Sequence, residues 1–121
     1  HNAYRHCKPG GIALFAPDDT VESYQPGSWH DGNDYAGRSA RYLECDWAMD
    51  PEDNTYNSVM LYIMRDEYGE THTQEDHTEF KLFHKSEWLD AIGGAGFKPQ
   101  LLPFQGDERM EESQLLFVGL K

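Results

Sequence analysis

A chain of 121 residues, 38% hydrophobic and 13% aromatic, is long enough for one packed domain and too apolar to remain disordered. Its 22 acidic against 10 basic residues, a formal net charge of −12, leave no basic patch to neutralise phosphates. That argues against direct binding to nucleic acid or to an anionic membrane surface. No run nears the ~18 consecutive apolar residues that span a bilayer.

The chain opens with a short stretch of helical potential, His1 to His6, and then Lys8-Pro9-Gly10-Gly11. Proline cannot continue a helix, and the two glycines can adopt the angles that reverse the chain. Ile12-Ala13-Leu14-Phe15 follows as a short apolar strand, of the kind buried on both faces of a parallel sheet. Pro17-Asp18-Asp19 ends it, Thr20 to Gly27 reads as an irregular crossing, and Ser28 to Gly37 reads as a polar loop. From Arg38 the pattern alternates, with Ser39, Arg41, Leu43 and Cys45 opposite Ala40, Tyr42, Glu44 and Asp46. A turn at Asp50 to Asn54 precedes a strand from Tyr56 to Arg65, apolar on both sides and so central in its sheet. A second turn at Asp66 to Gly69 leads to a third strand, Glu70 to Phe83. Three sequential strands with short turns predict an antiparallel meander.

A helix is expected from Lys85 to Ala95, with Trp88, Ile92 and Ala95 as its buried stripe and Gly93, Gly94 and Gly96 as its stop. His84 occupies the cap position, three residues before Glu87; it is a poorer cap, so either Glu87 offsets it or Ser86 caps a slightly shorter helix. Lys98 to Phe104 and Gln114 to Leu120 read as two strands joined by the acidic stretch 105–113. Cys7 and Cys45 lie far apart and outside any metal spacing, as expected of thiols in a reducing, cytoplasmic setting.

Several of these pieces resemble class I S-adenosylmethionine-dependent methyltransferases. Lys8-Pro9-Gly10-Gly11 is similar to the family's L-K-P-G-G turn before the fifth strand of its sheet. Phe83 to Leu89 and Ala95-Gly96-Phe97 are similar to its last helix and sixth strand, and Leu116 to Lys121 to its terminal seventh strand. Gln25-Pro26-Gly27 and Glu75-Asp76-His77 resemble the subgroup that contains amino-sugar N-methyltransferases. The resemblance implies an α/β fold, α+β as an isolated piece. It would hold the last three strands of a seven-stranded sheet, an inserted three-stranded meander and one helix. Residues 1–27 and 84–121 would be core, and 28–83 a substrate-side lobe. It also implies that the first half of the fold, with the S-adenosylmethionine site, lies before His1, so that this segment alone binds no cofactor and is inactive. Ile12 to Phe15 would then keep an unpaired apolar edge, through which the segment is expected to self-associate.

The strand ends of such a sheet hold the acceptor, a small molecule whose N or O atom takes the methyl group. That points to Asp18, Asp19, Tyr24, Trp29 and His30. Trp29 and His30 are the leading contact pair, because Trp offers a face to an apolar or cationic acceptor and His titrates near neutrality as a base. Tyr62 and His72 of the meander complete the substrate-binding set. His72 and His77 differ by an odd number and so fall on opposite strand faces, which argues against a metal. The alternative is a self-contained, non-enzymatic α+β domain that encloses a ligand with Tyr62, Trp47 and Met60. The acidic charge serves solubility first, and attraction for an amine second.

Overall fold

The computed structural model describes residues 1–104 and 114–121. The acidic connection 105–113 lies outside the described residues. Two compact units emerge, one built from His1–Ser23 and Phe83–Lys121, the other from Tyr24–Leu82.

Unit 1 contains α1 (Asn2–His6), β1 (Ile12–Phe15), α2 (Lys85–Gly94), β6 (Lys98–Phe104) and β7 (Gln114–Leu120). Its sheet has the order β1-β7-β6, with both neighbours antiparallel to β7. The final strand thus lies between β1 and β6, antiparallel to both. Phe117 on β7 is fully buried, and Ile92 of α2 and Phe97 complete the core with it. The Trp88 ring stacks on Phe117 at 5.6 Å, and Tyr4 meets Phe97 edge-on at 5.0 Å. Burying one such phenyl ring contributes about 1.5–3 kcal/mol.

α1 is too short to persist by itself. Lys121 fastens it: Nζ donates to the Tyr4 and Cys7 carbonyls at 2.6 and 2.8 Å and sits 4.1 Å from the Tyr4 ring. Gly96 has φ +104°, and the Tyr4 ring lies against it where a side chain would stand.

β1 departs from the expectation of burial on both faces. Ala13 and Phe15 pack on the core, but Ile12 and Leu14 are 58% and 62% exposed. The reason is coverage, since α2 packs on one side of the sheet and none of the described residues covers these two side chains.

Unit 2 contains β2 (Gly27–Tyr35), β3 (Arg38–Asp46), β4 (Thr55–Arg65) and β5 (Thr71–Lys81), paired antiparallel in that order. The lobe therefore has four strands where three were expected. The polar stretch read as a loop, Ser28 to Gly37, is mostly strand, and it pairs with β3 from Gly27↔Asp46 to Tyr35↔Arg38. Ala36 and Gly37, at φ 50° and 78°, form the two-residue turn that joins them. Positive φ at both central positions matches the twist of a hairpin. Among the described residues β2 has a partner strand on one side only, so it can carry polar residues on both faces without burying them. β4 lies inside the sheet, as its apolar alternation predicted. No helix among the described residues is long and apolar enough to cross a membrane.

Candidate functional site

Register decides which side chains meet. Directly opposed residues of antiparallel strands project from the same face. Three rows therefore cross one face of the unit 2 sheet. They are Trp29–Glu44–Met60–Asp76, Asp31–Tyr42–Tyr62–Gln74 and Asn33–Ala40–Met64–His72. Ala40 is the small residue among larger neighbours, and a depression opens on either side of it. One side, about 470 Å³, is lined by Tyr35, Arg38, Met64 and His72 among others. The other, about 380 Å³, is lined by Asp31, Tyr42 and Tyr62 among others.

The structure brings Trp29, Tyr62 and His72 onto this face. Trp29 folds back over Gly27, where an added Cβ would come within 3.0 Å of the indole. Its outer surface remains 48% exposed. The Tyr62 hydroxyl contacts Met60 Sδ at 3.2 Å. The Gln74 amide donates to Asp76 Oδ1 at 3.2 Å.

Tyr24 is placed differently. It is buried, its hydroxyl donates to the Trp47 carbonyl at 2.5 Å, and its ring lies 4.4 Å from Tyr56, which in turn stacks on Phe80. These contacts make it part of the lobe's own packing. His30 is separated from Trp29, because adjacent strand residues point to opposite faces. It stands in the row His30–Leu43–Leu61–Glu75. Asp18 and Asp19 belong to unit 1, beyond the end of β1, where Asp19 accepts the Ser23 hydroxyl at 2.9 Å.

Beneath the same face, Asp46 and Ser58 oppose each other, and Asp46 Oδ1 and Ser58 Oγ are buried without a hydrogen-bond partner among the described residues. At the hairpin end, Asp66, Glu70 and His72 offer ligand atoms within 4.8 Å of one another. Asp66 Oδ1 already accepts the Tyr68 and Glu70 N–H groups at 2.9 Å each, so an ion there would compete with the turn's own bonds. His72 and His77 do fall on opposite faces, and the His77 ring contacts Glu75.

Sequence reasoning missed Ala40, whose effect depends on knowing its register. It also missed Glu22, which caps α2 through space. Burial opposes ionisation of Glu22, but hydrogen bonds from backbone amides, Thr20 and His84 outweigh it and hold the carboxyl below its ordinary 4.5.

A methyl-donor site needs a glycine-rich turn between a strand and a helix N-terminus. Among the described residues the helix that follows a crossing is α2, and carboxylates of Glu22 and Glu87 already occupy its first turn. These residues do not fit S-adenosylmethionine.

Solved structures that share the fold include the following three. A sugar N-methyltransferase from a Streptoalloteichus species aligns with TM-score 0.75 and 24% identity, over 98% of this chain and 45% of its own. DesVI from Streptomyces venezuelae aligns with TM-score 0.75 and 21% identity, over 96% of this chain and 46% of its own. An amino pentose methyltransferase from Micromonospora echinaspora, solved with S-adenosylmethionine bound, gives 0.72 and 17%, over 97% and 46%. The chain thus spans a little under half the length of the structures it matches. No protein-family model and no curated protein sequence matches it. The likeness establishes the fold, which this chain shares with a little under half of each of those structures.

Proposed function

We propose that this chain is the C-terminal part of an S-adenosylmethionine-dependent methyltransferase acting on the amine nitrogen of a small, sugar-like acceptor. The observation that carries the reading is the fold match over 96–98% of the chain to three proteins, two of them described as sugar or amino pentose methyltransferases. The methyl group comes from a donor held by residues other than those described. The share of this chain is to hold and orient the acceptor, which is where binding energy turns into rate.

The row face of the lobe has the chemistry for that task. Trp29 and Tyr62 offer ring faces to the apolar side of a sugar and to an ammonium group. Glu44 and Asp31, in the rows of Trp29 and Tyr62, supply carboxylates for an amine. His72, in the neighbouring row, serves a hydroxyl. Tyr24 sets the lobe's shape. His30 projects from the other face, so the role of base does not pass to it in this reading.

The test is calorimetric titration of the chain with D-glucosamine and with D-glucose. Glucosamine should bind in the millimolar range, at least about fivefold more tightly than glucose, and about tenfold more weakly to Trp29→Ala. Equal affinities that survive both Trp29→Ala and Tyr62→Ala, or no heat from either sugar, would sink the proposal. The half-exposed position of Trp29 lets that variant fold, which circular dichroism checks.

A further inference from the structure

Asp46 on β3 and Ser58 on β4 face each other across the unit 2 sheet, in the row Gly27–Asp46–Ser58–Thr78. Directly opposed side chains on one face stand close enough to share a partner. They do not bond each other. Asp46 Oδ1 and Ser58 Oγ are both buried, and both lack a hydrogen-bond partner among the described residues. Ser58 is 2% exposed, so bulk water does not serve its hydroxyl. A buried polar atom left unpaired opposes folding, and a carboxylate oxygen opposes it most. Two such atoms side by side point to a group that binds between them.

The donor inventory and the charge decide what that group is. A carboxylate oxygen accepts only, whereas a hydroxyl accepts or donates. Water bridges the two without balancing charge, but an ammonium donates to both oxygens and also neutralises the carboxylate. No Lys or Arg stands in this row or in the next one, Trp29–Glu44–Met60–Asp76, which adds two further carboxylates.

We propose that Asp46 and Ser58 form the seat of a primary ammonium group, with the Trp29 indole beside it. Gly27 opposes Asp46 and has no side chain, and the indole fills the space its Cβ would need, 3.0 Å away. An aromatic ring next to a carboxylate and a hydroxyl suits an ammonium that carries a carbon frame. The seat deepens the proposed function and rests on it only for what bears the amine, a sugar.

Methylammonium chloride is the probe, being the ammonium group without the sugar. Tetramethylammonium chloride is the control, since it has the charge but no N–H to donate. In residue-resolved NMR at equal chloride concentration, methylammonium should move the Asp46 and Ser58 amides at least about threefold further than the control. Asp46→Asn keeps the shape without the charge and should cut the shift at Ser58 about fivefold. Ser58→Ala should cut the shift at Asp46 about twofold. Equal shifts with the two cations, or a shift that survives Asp46→Asn, overturn the seat. So do Asp46 and Ser58 signals that neither salt moves, the result expected if water alone bridges the pair. D-glucosamine separates the seat from the sugar reading. If methylammonium moves Asp46 and Ser58 and D-glucosamine does not, the seat stands and the sugar acceptor falls.

Discussion

The two units bury their residues by opposite strategies. Unit 1 folds around a closed aromatic and aliphatic centre in which Phe117, Ile92, Phe97 and Val118 are almost wholly withdrawn from water. Unit 2 is a four-stranded sheet whose buried residues are Tyr24, Ser58 and Leu82, with Leu43, Ile63 and Met64 still partly in water. Unit 1 is thus held by packing, and unit 2 by its ladder, its turns and its cross-strand pairs. A region built in the second way keeps large side chains on its surface, available to a ligand.

That contrast can be broken by truncating the two buried centres. Phe117→Ala removes a ring with no exposure and leaves a cavity next to Trp88, which should cost about 3–5 kcal/mol in urea denaturation. A loss below about 1 kcal/mol would mean that unit 1 is not packed as described. In unit 2 the turn carries more of the specification. Ala36→Gly relieves an alanine held at φ 50° and should raise stability by about 0.5–1 kcal/mol, read from the same denaturation curve. A destabilised Ala36→Gly would argue against the tight hairpin. Ser58→Ala deletes a buried hydroxyl that has no partner among the described residues, so the change should stay within about 0.5 kcal/mol of zero.

The smallest expected effect is electrostatic. The Thr55 hydroxyl and amide donate to Asp53 at 2.7 and 3.0 Å and hold its carboxyl below the ordinary 3.8. A lowered value in the folded state means that the contribution is complete above the unfolded value and is lost as pH falls through the folded one. Stability compared across acid pH should therefore drop slightly less steeply in Asp53→Asn than in the native chain. Identical profiles would show that this turn carries no pH-linked stability.

Much of unit 1 was legible in the sequence because its elements announce themselves locally. The apolar run Ile12 to Phe15, the stripe of Trp88 and Ile92, and the glycines after it each define one element without knowledge of the rest. The exposure of Ile12 and Leu14 was not legible, because burial depends on what covers a strand. In unit 2, β3 and β4 show their alternation, but β2 does not. An edge strand needs no apolar face, and Ala-Gly is a weaker hairpin signal than Asn-Gly. As neighbours on a strand, Trp29 and His30 point to opposite faces of the sheet. Tyr62 and His72, ten residues apart in sequence, come to one face through the β4–β5 register.

The account rests on that face, and a residue-resolved NMR titration with D-glucosamine tests it most directly. Shifts should concentrate at Trp29, Tyr42, Tyr62, Met64 and His72, and leave His30, Leu43, Leu61 and Ile63 on the opposite face unmoved. Shifts gathered on the opposite face, or confined to unit 1, would contradict it.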